Sequence, residues 1–573
     1  MTKLFKKQSF LISALVLAIG GIVAKIIGAF YKIPLTHILG SNGMGVYYLI
    51  FPIYSLFLVI SSSGISLAVT KLVAAERKQR NVSNEHKIFK TGIGLSLILG
   101  FVFGFIILLF PKNFATMQGN INAYLGYVAI APAIIFASVI SVVRGYFQGV
   151  ENMIPTSLSN ILEQLTKLLF GLLLSYRFLN YGIEYGVVGA ILGVTISELI
   201  AMIMLLLNYM FYRKKEKFYK KTERARNKVG IYLFYNAKIF SKKFLKKKII
   251  NNQNFFEYKK SKDLSRGEVW KKVTKYSLFA TLSSIVIPLT SFIDSFLVIN
   301  LLTSSGFSSN ISTSLYGLSN GVVSSLISLP VLLMSSLSTA IVPNLSNSDS
   351  LGERKLVEEK CGFYIKITWL IALPLFIFFV VYSNEIITIL FGKGLTNRAF
   401  DELIFANKLL LVGSVQIIYY GFLQTFTAIL QSINKPAVPT FSLIISLAVR
   451  TLLTIILVRI PSLNVFGVVI SNIIFLSLST FICLIYLKKY IKLNLSRKAF
   501  LICPLISVAV ASSIAYLLKS ILIKYLSVLL TSLISGVIGV VIYLLMLLSL
   551  AIFNEREIEM MPFPKKIFRR LSN

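Results

Sequence analysis

The chain has 573 residues, 56% of them hydrophobic and 14% charged, with a formal net charge of +37. Soluble domains hold about a quarter charged residues, so this composition excludes an ordinary soluble globular protein and marks an integral membrane protein. The basic excess, 59 Lys and Arg against 22 Asp and Glu, fits positive loops on one membrane face, and no nucleic-acid partner is expected.

A spanning helix needs about 20 apolar residues. Fourteen runs qualify, at 10–31, 45–70, 91–111, 122–147, 157–178, 185–211, 273–302, 314–342, 362–382, 404–430, 438–459, 465–487, 499–518 and 527–553. The first is too long for a signal-peptide core and runs into charge and proline, so it reads as a retained span. The fold class expected is an all-α integral membrane protein with about 14 transmembrane helices.

Lysine and arginine fix the orientation. Lys3, Lys6 and Lys7 precede span one. Lys71, Arg77, Lys78, Arg80, Lys87 and Lys90 follow span two, and Lys488, Lys489, Lys492, Arg497 and Lys498 follow span twelve. The tail ends with Lys565, Lys566, Arg569 and Arg570. With fourteen spans these all fall on one side, and the opposite loops are short and poor in charge. The positive-inside rule then predicts two cytoplasmic termini.

Residues 213–272 hold 21 Lys and Arg against five acids. This run splits the chain after six spans. The expected units are an N-terminal six-helix lobe (1–211), a basic cytoplasmic linker (212–272), a C-terminal six-helix lobe (273–487), an extra helix pair (488–553) and a cytoplasmic tail (554–573). Solvation is the first reading of the linker. Its interleaved aromatics, among them Phe218, Tyr219, Tyr232 and Phe240, make contact with anionic membrane lipid the second.

The two lobes read as a parallel repeat. "RGYFQGVENMIPTS" (144–157) is answered by "LQSINKPAVPTFS" (430–442), with Gln148 and Pro155 against Gln431 and Pro439. Each elbow leads into a span with one cation, Lys167 or Arg450. Duplicated lobes that rock about a midline cavity are a transporter design.

Charges within the spans are costly and mark candidate sites. Lys25 and Lys32 lie seven residues apart, two helical turns, and share a face. Lys25, Lys32, Lys167, Arg450 and Arg144 are the candidate substrate-binding cations. Asp294, Glu163 and Glu198 are the candidate cavity or coupling carboxylates. Glu163 and Lys167 are four apart and can pair on one helix face. Cys361, Cys483 and Cys503 form no CxxC motif, and His37 and His86 lack partners at ligand spacing. No disulfide, metal or cofactor is expected.

The strings "AKIIGAFYKIPLTHILGSNGMGVYYLIFPIYSLFLVISSSGISLAVTKLVA" and "RGYFQGVENMIPTSLSNILEQLTKLLFGLLL" resemble the stage V sporulation protein B / polysaccharide biosynthesis branch of the multidrug/oligosaccharidyl-lipid/polysaccharide (MOP) exporter superfamily. The MurJ-like lipid II flippases belong to the same superfamily. The resemblance implies two six-helix lobes in a V, as in MATE and MurJ proteins, plus a C-terminal helix pair. It implies export of an undecaprenyl-diphosphate-linked cell-wall precursor, lipid II or a related oligosaccharide lipid, from inner to outer leaflet by alternating access. Peptidoglycan or spore-cortex synthesis at the plasma (inner) membrane of a bacterium would be the setting. Lys25 matches a position where such flippases carry a basic residue in span one, and Lys32 matches their basic residue just before "IP". The arginine and other charges that some of them place in spans two and eight have no counterpart in 51–64 or 314–342.

The partners expected are the lipid-linked oligosaccharide diphosphate and membrane lipids, with the chain acting as a monomer. Membrane potential, Na+ or H+ are the candidate energy sources. A multidrug or cation antiporter of the same superfamily is the first alternative, and a flippase for another polysaccharide repeat unit is the second. A cation carrier needs an acidic cavity, whereas these spans lean basic. A metal-dependent glycosyltransferase is disfavoured: the four aspartates, Asp263, Asp294, Asp349 and Asp401, form no DxD motif.

Overall fold

The structure is a computed structural model that describes residues 10–79, 81–240, 263–350, 353–395, 401–493, 496–550, 552–554 and 557. Every regular element among them is helical. Of the expected linker, residues 241–262 lie outside the described residues, as do 558–573 of the tail.

Helix α1 (Phe10–Leu58) is interrupted once, at Gly40, whose φ of 66° and ψ of −176° are not helical. Glycine tolerates this left-handed φ without a Cβ clash. The chain folds back there. Tyr31 and Phe51 both lie within 5.4 Å of the Lys167 ammonium, whereas 20 residues of straight helix would separate them by about 30 Å. The turn expected across 32–44 is thus a kink at a single glycine. A π-helical turn, Val59–Ser63, joins α1 to α2 (Gly64–Lys78).

The rest of the N-terminal lobe is α3 (Val82–Leu109), the short α4 (Pro111–Met117), α5 (Tyr124–Gly149), α6 (Ile154–Phe178) and α7 (Ile183–Phe240). Span seven is bent into α8 (Arg266–Ser284) and α9 (Val286–Ser304). Then come α10 (Ser309–Gly317), a π-helical turn (Leu318–Val323), α11 (Ser324–Ser350), α12 (Arg354–Val381) and the short α13 (Ser383–Phe391). α14 (Glu402–Gly413), α15 (Gln416–Ser432), α16 (Ala437–Val458) and α17 (Phe466–Tyr490) complete the second lobe, and α18 (Cys503–Leu522) and α19 (Val528–Ser549) form the last pair.

Twelve helices among the described residues are long and apolar enough to cross a membrane, against fourteen runs expected. The difference has two sources. The stretch Ile19–Lys78 counts once although Gly40 breaks it. Helix α6, with Glu163, Lys167 and Arg177 in its 25 residues, is not among the twelve.

The two elbows are built alike. Glu151 and Asn434, each three residues after the matched glutamine, have φ of 62° and 60°. In the first, the amides of Glu151 and Asn152 donate to the carbonyls of Gln148 and Phe147 at 3.0 and 2.9 Å. In the second, those of Asn434 and Lys435 donate to Gln431 and Leu430 at 3.2 and 2.8 Å. Both are Schellman caps, which satisfy the last carbonyls of α5 and α15. The repeat legible in the sequence is therefore also a repeat of backbone geometry.

The buried core is shared at one end of the molecule and divided at the other. At the Gly40 end, one cluster combines Tyr31, Met44 and Ile130 of the first lobe with Ile299, Leu318 and Leu409 of the second. At the linker end the lobes have separate clusters, around Ile65, Phe89 and Val142 and around Cys361, Phe426 and Leu476. Helix α8 joins the first of these through Val269 and Val273. A Cβ on Gly64 of α2 would collide with the Ser277 carbonyl of α8, so the two backbones cross at glycine-limited distance. Span seven thus starts on the N-terminal lobe and ends on the C-terminal one.

Candidate functional site

The Gly40 end is sealed by polar contacts between lobes. Gln118 Nε2 donates to Ser295 Oγ at 2.9 Å and Asn120 Nδ2 to Thr313 Oγ1 at 2.8 Å. His37 Nε2 donates to the Leu390 carbonyl at 2.7 Å, and Ser41 donates to Glu402. Backbones meet here too. A Cβ on Gly45 would strike the Thr313 carbonyl, and one on Gly317 the Ser41 carbonyl.

Beneath this seal lie two of the candidate cations. Lys32 Nζ sits 5.4 Å from the centre of the Tyr48 ring. Lys167 Nζ, from α6, sits 5.3 Å from that of Tyr31 and 5.4 Å from that of Phe51. Aromatic faces attract cations without neutralising them. Neither lysine has a carboxylate at ion-pair distance among the described residues. Tyr48 Oη lies 3.4 Å from Ser325 Oγ of α11, so the ring under Lys32 also touches the second lobe. Lys25 is exposed on α1, two turns from Lys32 towards the linker end. It is not held in the aromatic box.

The first lobe's other candidate charges are engaged. Arg144 Nη2 donates to Glu163 Oε2 at 2.8 Å and Arg144 Nε to Ser159 Oγ at 3.0 Å. Glu163 therefore pairs with Arg144 of α5, not with Lys167 on its own helix as the four-residue spacing allows. The arginine fork satisfies a carboxylate and a hydroxyl at once, which an ammonium on a shared helix face matches less well. Glu198 is buried on α7 and accepts from Tyr54 Oη at 3.2 Å.

In the second lobe, Arg450 of α16 is ion-paired with Asp294 of α9, and its Nε donates to Asn472 Oδ1 at 2.6 Å. The pair joins spans seven, eleven and twelve. Sequence placed both residues inside spans but gave no sign that they face each other, because 156 residues separate them.

The site that results is a box of aromatic rings holding two ammoniums, with an Arg–Glu pair and a buried Glu–Tyr pair in the same lobe. Such a box can take an anionic group between the lobes. The aromatic lining is not singled out by the sequence reading, although Tyr48 and Phe51 stand at helical i, i+3 spacing in "VYYLIFPIYS".

The family model described as polysaccharide biosynthesis protein matches residues 10–348, more than half of the chain. The chain belongs to this family. It is 25% identical over 518 residues to stage V sporulation protein B of Bacillus subtilis (strain 168), covering 89% of this chain and 91% of that protein. It is 24% identical over 453 residues to the lipid II flippase MurJ of the same organism, covering 78% and 76%.

Among solved structures, the fold is similar to that of the lipid II flippase MurJ in an inward closed conformation. The TM-score is 0.62 at 16% identity, over 93% of this chain and 98% of that one. An inward-facing multidrug resistance MATE transporter of the MOP superfamily matches with a TM-score of 0.60 at 15% identity, over 82% and 97%. This polysaccharide biosynthesis family member is thus a multi-pass membrane protein of MATE/MurJ-like fold.

The helix pair that follows the second lobe is pinned at both ends by residues the sequence did not single out. Lys366 of α12 donates to Glu557 at 2.8 Å and to the Ile552 carbonyl at 2.5 Å. Lys519 of α18 lies 2.7 Å from Glu385 of α13 and donates to the Val381 carbonyl at 3.0 Å. Between these pins, α12, α18 and α19 leave an apolar groove lined by Ile377, Phe378, Val508, Ala511, Gly539 and Tyr543.

Proposed function

We propose that this protein is a flippase for a polyprenyl-diphosphate-linked cell-wall precursor, lipid II or a related oligosaccharide lipid, in peptidoglycan or spore-cortex synthesis. The observation that carries the reading is the pair of ammoniums, Lys32 and Lys167, held over aromatic faces with no carboxylate at ion-pair distance among the described residues. Similarity to proteins named for lipid II flipping and sporulation supports it.

In this reading the chain crosses the membrane fourteen times, with Gly40 as an outer turn and α6 as a charged span. The linker end is cytoplasmic, because Lys and Arg collect there. The diphosphate moves from the cytoplasmic leaflet towards Lys32 and Lys167, and exposed Lys25 is the first cation it meets. Lysines suit this as point charges that follow a moving anion without bidentate geometry. The polyprenyl tail stays in the groove between α12, α18 and α19, so only the head group crosses. Opening of the seal at Gln118, Asn120 and Ser41 then releases the head group outside.

A diphosphate moving outward across a membrane with a negative interior is driven by about 2.3 kcal/mol per charge per 100 mV. Na+ or H+ coupling through Glu163 or Glu198 is the alternative source. An organic-cation antiporter is disfavoured because Glu163 and Asp294 already hold arginines.

The test is depletion of this protein in a bacterial host with no redundant flippase expressed. An external probe that cannot cross the membrane reports lipid II in the outer leaflet. Loss of exposure with inner-leaflet accumulation, rescued by wild type and not by Lys167→Ala, is the expected result. Unchanged exposure rules out the lipid II assignment.

A further inference from the structure

At the linker end, α3, α7 and the start of α8 enclose a cleft of about 730 Å³. Its walls carry Lys87 and Lys90 of α3, Arg213 of α7 and Arg266 of α8, against one carboxylate, Glu216. That carboxylate is already engaged, 2.7 Å from Arg77 and 3.6 Å from Arg213. Lys87 donates to the Leu264 carbonyl at 2.8 Å and lies 3.7 Å from Asp263. Lys90 and Arg266 have no ion-pair partner among the described residues. The first residues of α3 and α8 also line the cleft, and the positive end of a helix adds to its preference for anions.

This cleft is not the lysine–aromatic site. Neither α1 nor α6, which carry Lys32 and Lys167, contributes to it. On α7, Arg213 lies 15 residues beyond Glu198, about 22 Å along the axis. Its rim has the order of a membrane interface. Along one i, i+4 row of α8 come Arg266, then Trp270 (39% exposed), then exposed Leu278 and Leu282, with exposed Lys271 and Lys275 beside the row. Cation, amphipathic aromatic and aliphatic side chain follow in the sequence head group, glycerol level and acyl chain.

We propose that the cleft binds the phosphate head group of an anionic phospholipid, with the acyl chains lying along the exposed side chains of α8. Lys90 and Arg266 are the principal contacts, because neither is ion-paired among the described residues. Inorganic phosphate matches the basic walls equally, but the row Trp270, Leu278 and Leu282 has a counterpart only in a lipid. A head group held by α3, α7 and α8 together ties the start of span seven to the N-terminal lobe. It therefore favours the arrangement seen here over any in which α8 leaves that lobe.

Trp270 reports on this site directly. The chain has two tryptophans, so Trp369→Phe leaves Trp270 alone. The full-length Trp369→Phe protein is reconstituted in phosphatidylcholine vesicles with rising fractions of brominated phosphatidylglycerol or, separately, brominated phosphatidylcholine. We expect saturable quenching of Trp270 at a much lower fraction of the brominated phosphatidylglycerol than of the brominated phosphatidylcholine. Lys90→Gln with Arg266→Gln raises the half-saturating fraction roughly 25-fold, about fivefold per cation.

Equal quenching by the two lipids overturns the proposal, and this comparison needs no variant in the cleft. Relief of quenching by inorganic diphosphate at equal molarity overturns it in favour of a soluble anion. Relief by one equivalent of undecaprenyl diphosphate overturns it in favour of the transport substrate.

Discussion

Arg450 on α16 and Asp294 on α9 form a buried ion pair whose side chains are 3% and 9% exposed. Arg450 Nη1 and Asp294 Oδ1 have no hydrogen-bond partner among the described residues. The pair ties the second half of span seven to the body of the C-terminal lobe. Removing one partner of such a pair strands a buried charge and costs about 3–5 kcal/mol, whereas replacing both by apolar groups is often neutral. Asp294→Ala is expected to lower the unfolding temperature of the purified protein markedly. Asp294→Leu with Arg450→Leu recovers most of the loss. Thermal unfolding in detergent across the double-mutant cycle checks this.

The two box lysines differ from Arg450 in having no carboxylate at ion-pair distance among the described residues. Lys32→Ala and Lys167→Ala should therefore leave the unfolding temperature nearly unchanged. Each should weaken binding of a lipid-linked diphosphate by about 10- to 100-fold, the value of one charge-assisted contact. Lys167→Arg should retain part of the affinity. Binding measured by native mass spectrometry beside thermal unfolding separates the two effects. A large loss of stability in either alanine variant would mark the lysines as structural.

Closure of the Gly40 end depends on a backbone approach with no room for a methyl group. Gly45→Ala places a Cβ against the Thr313 carbonyl and should part the lobes there. A cysteine at Asn120, which bridges to Thr313, should label slowly in the parent and several-fold faster with Gly45→Ala. The native cysteines, Cys361, Cys483 and Cys503, are buried and give little background. Equal labelling rates would show that the seal does not rest on this contact.

The C-terminal helix pair hangs on two lysines. Lys519→Met leaves Glu385 without its cation and Lys366→Met does the same to Glu557. Both pairs lie between the exposed and fully buried limits, so each loss should cost about 2 kcal/mol. Hydrogen exchange of α18 and α19 should rise while that of α5 and α7 stays unchanged.

Much of the fold was legible because membrane spans are written in long apolar runs and the elbows in Gln, Asn, Pro and Gly. The matching φ at Glu151 and Asn434 shows why: a Schellman cap imposes the same local chemistry on both copies. Local patterns failed where partners are remote. The Arg450–Asp294 and Lys519–Glu385 pairs join residues far apart in sequence. Glu163 had a near partner at i+4 and took a distant arginine instead. Gly40 falls between the apolar runs 10–31 and 45–70, and nothing in "LTHILGSNGMG" separates a single-residue kink from a longer turn.

The central claim is that Lys32 and Lys167 carry the anionic head group between leaflets. Its most direct test is flipping of a fluorescent lipid II by the purified full chain in proteoliposomes, read by a quencher that reaches only the outer leaflet. Wild type should equilibrate the lipid. Lys32→Ala with Lys167→Ala should reduce the rate at least about tenfold, in protein that unfolds at the wild-type temperature. Wild-type rates in that folded double variant would contradict the account.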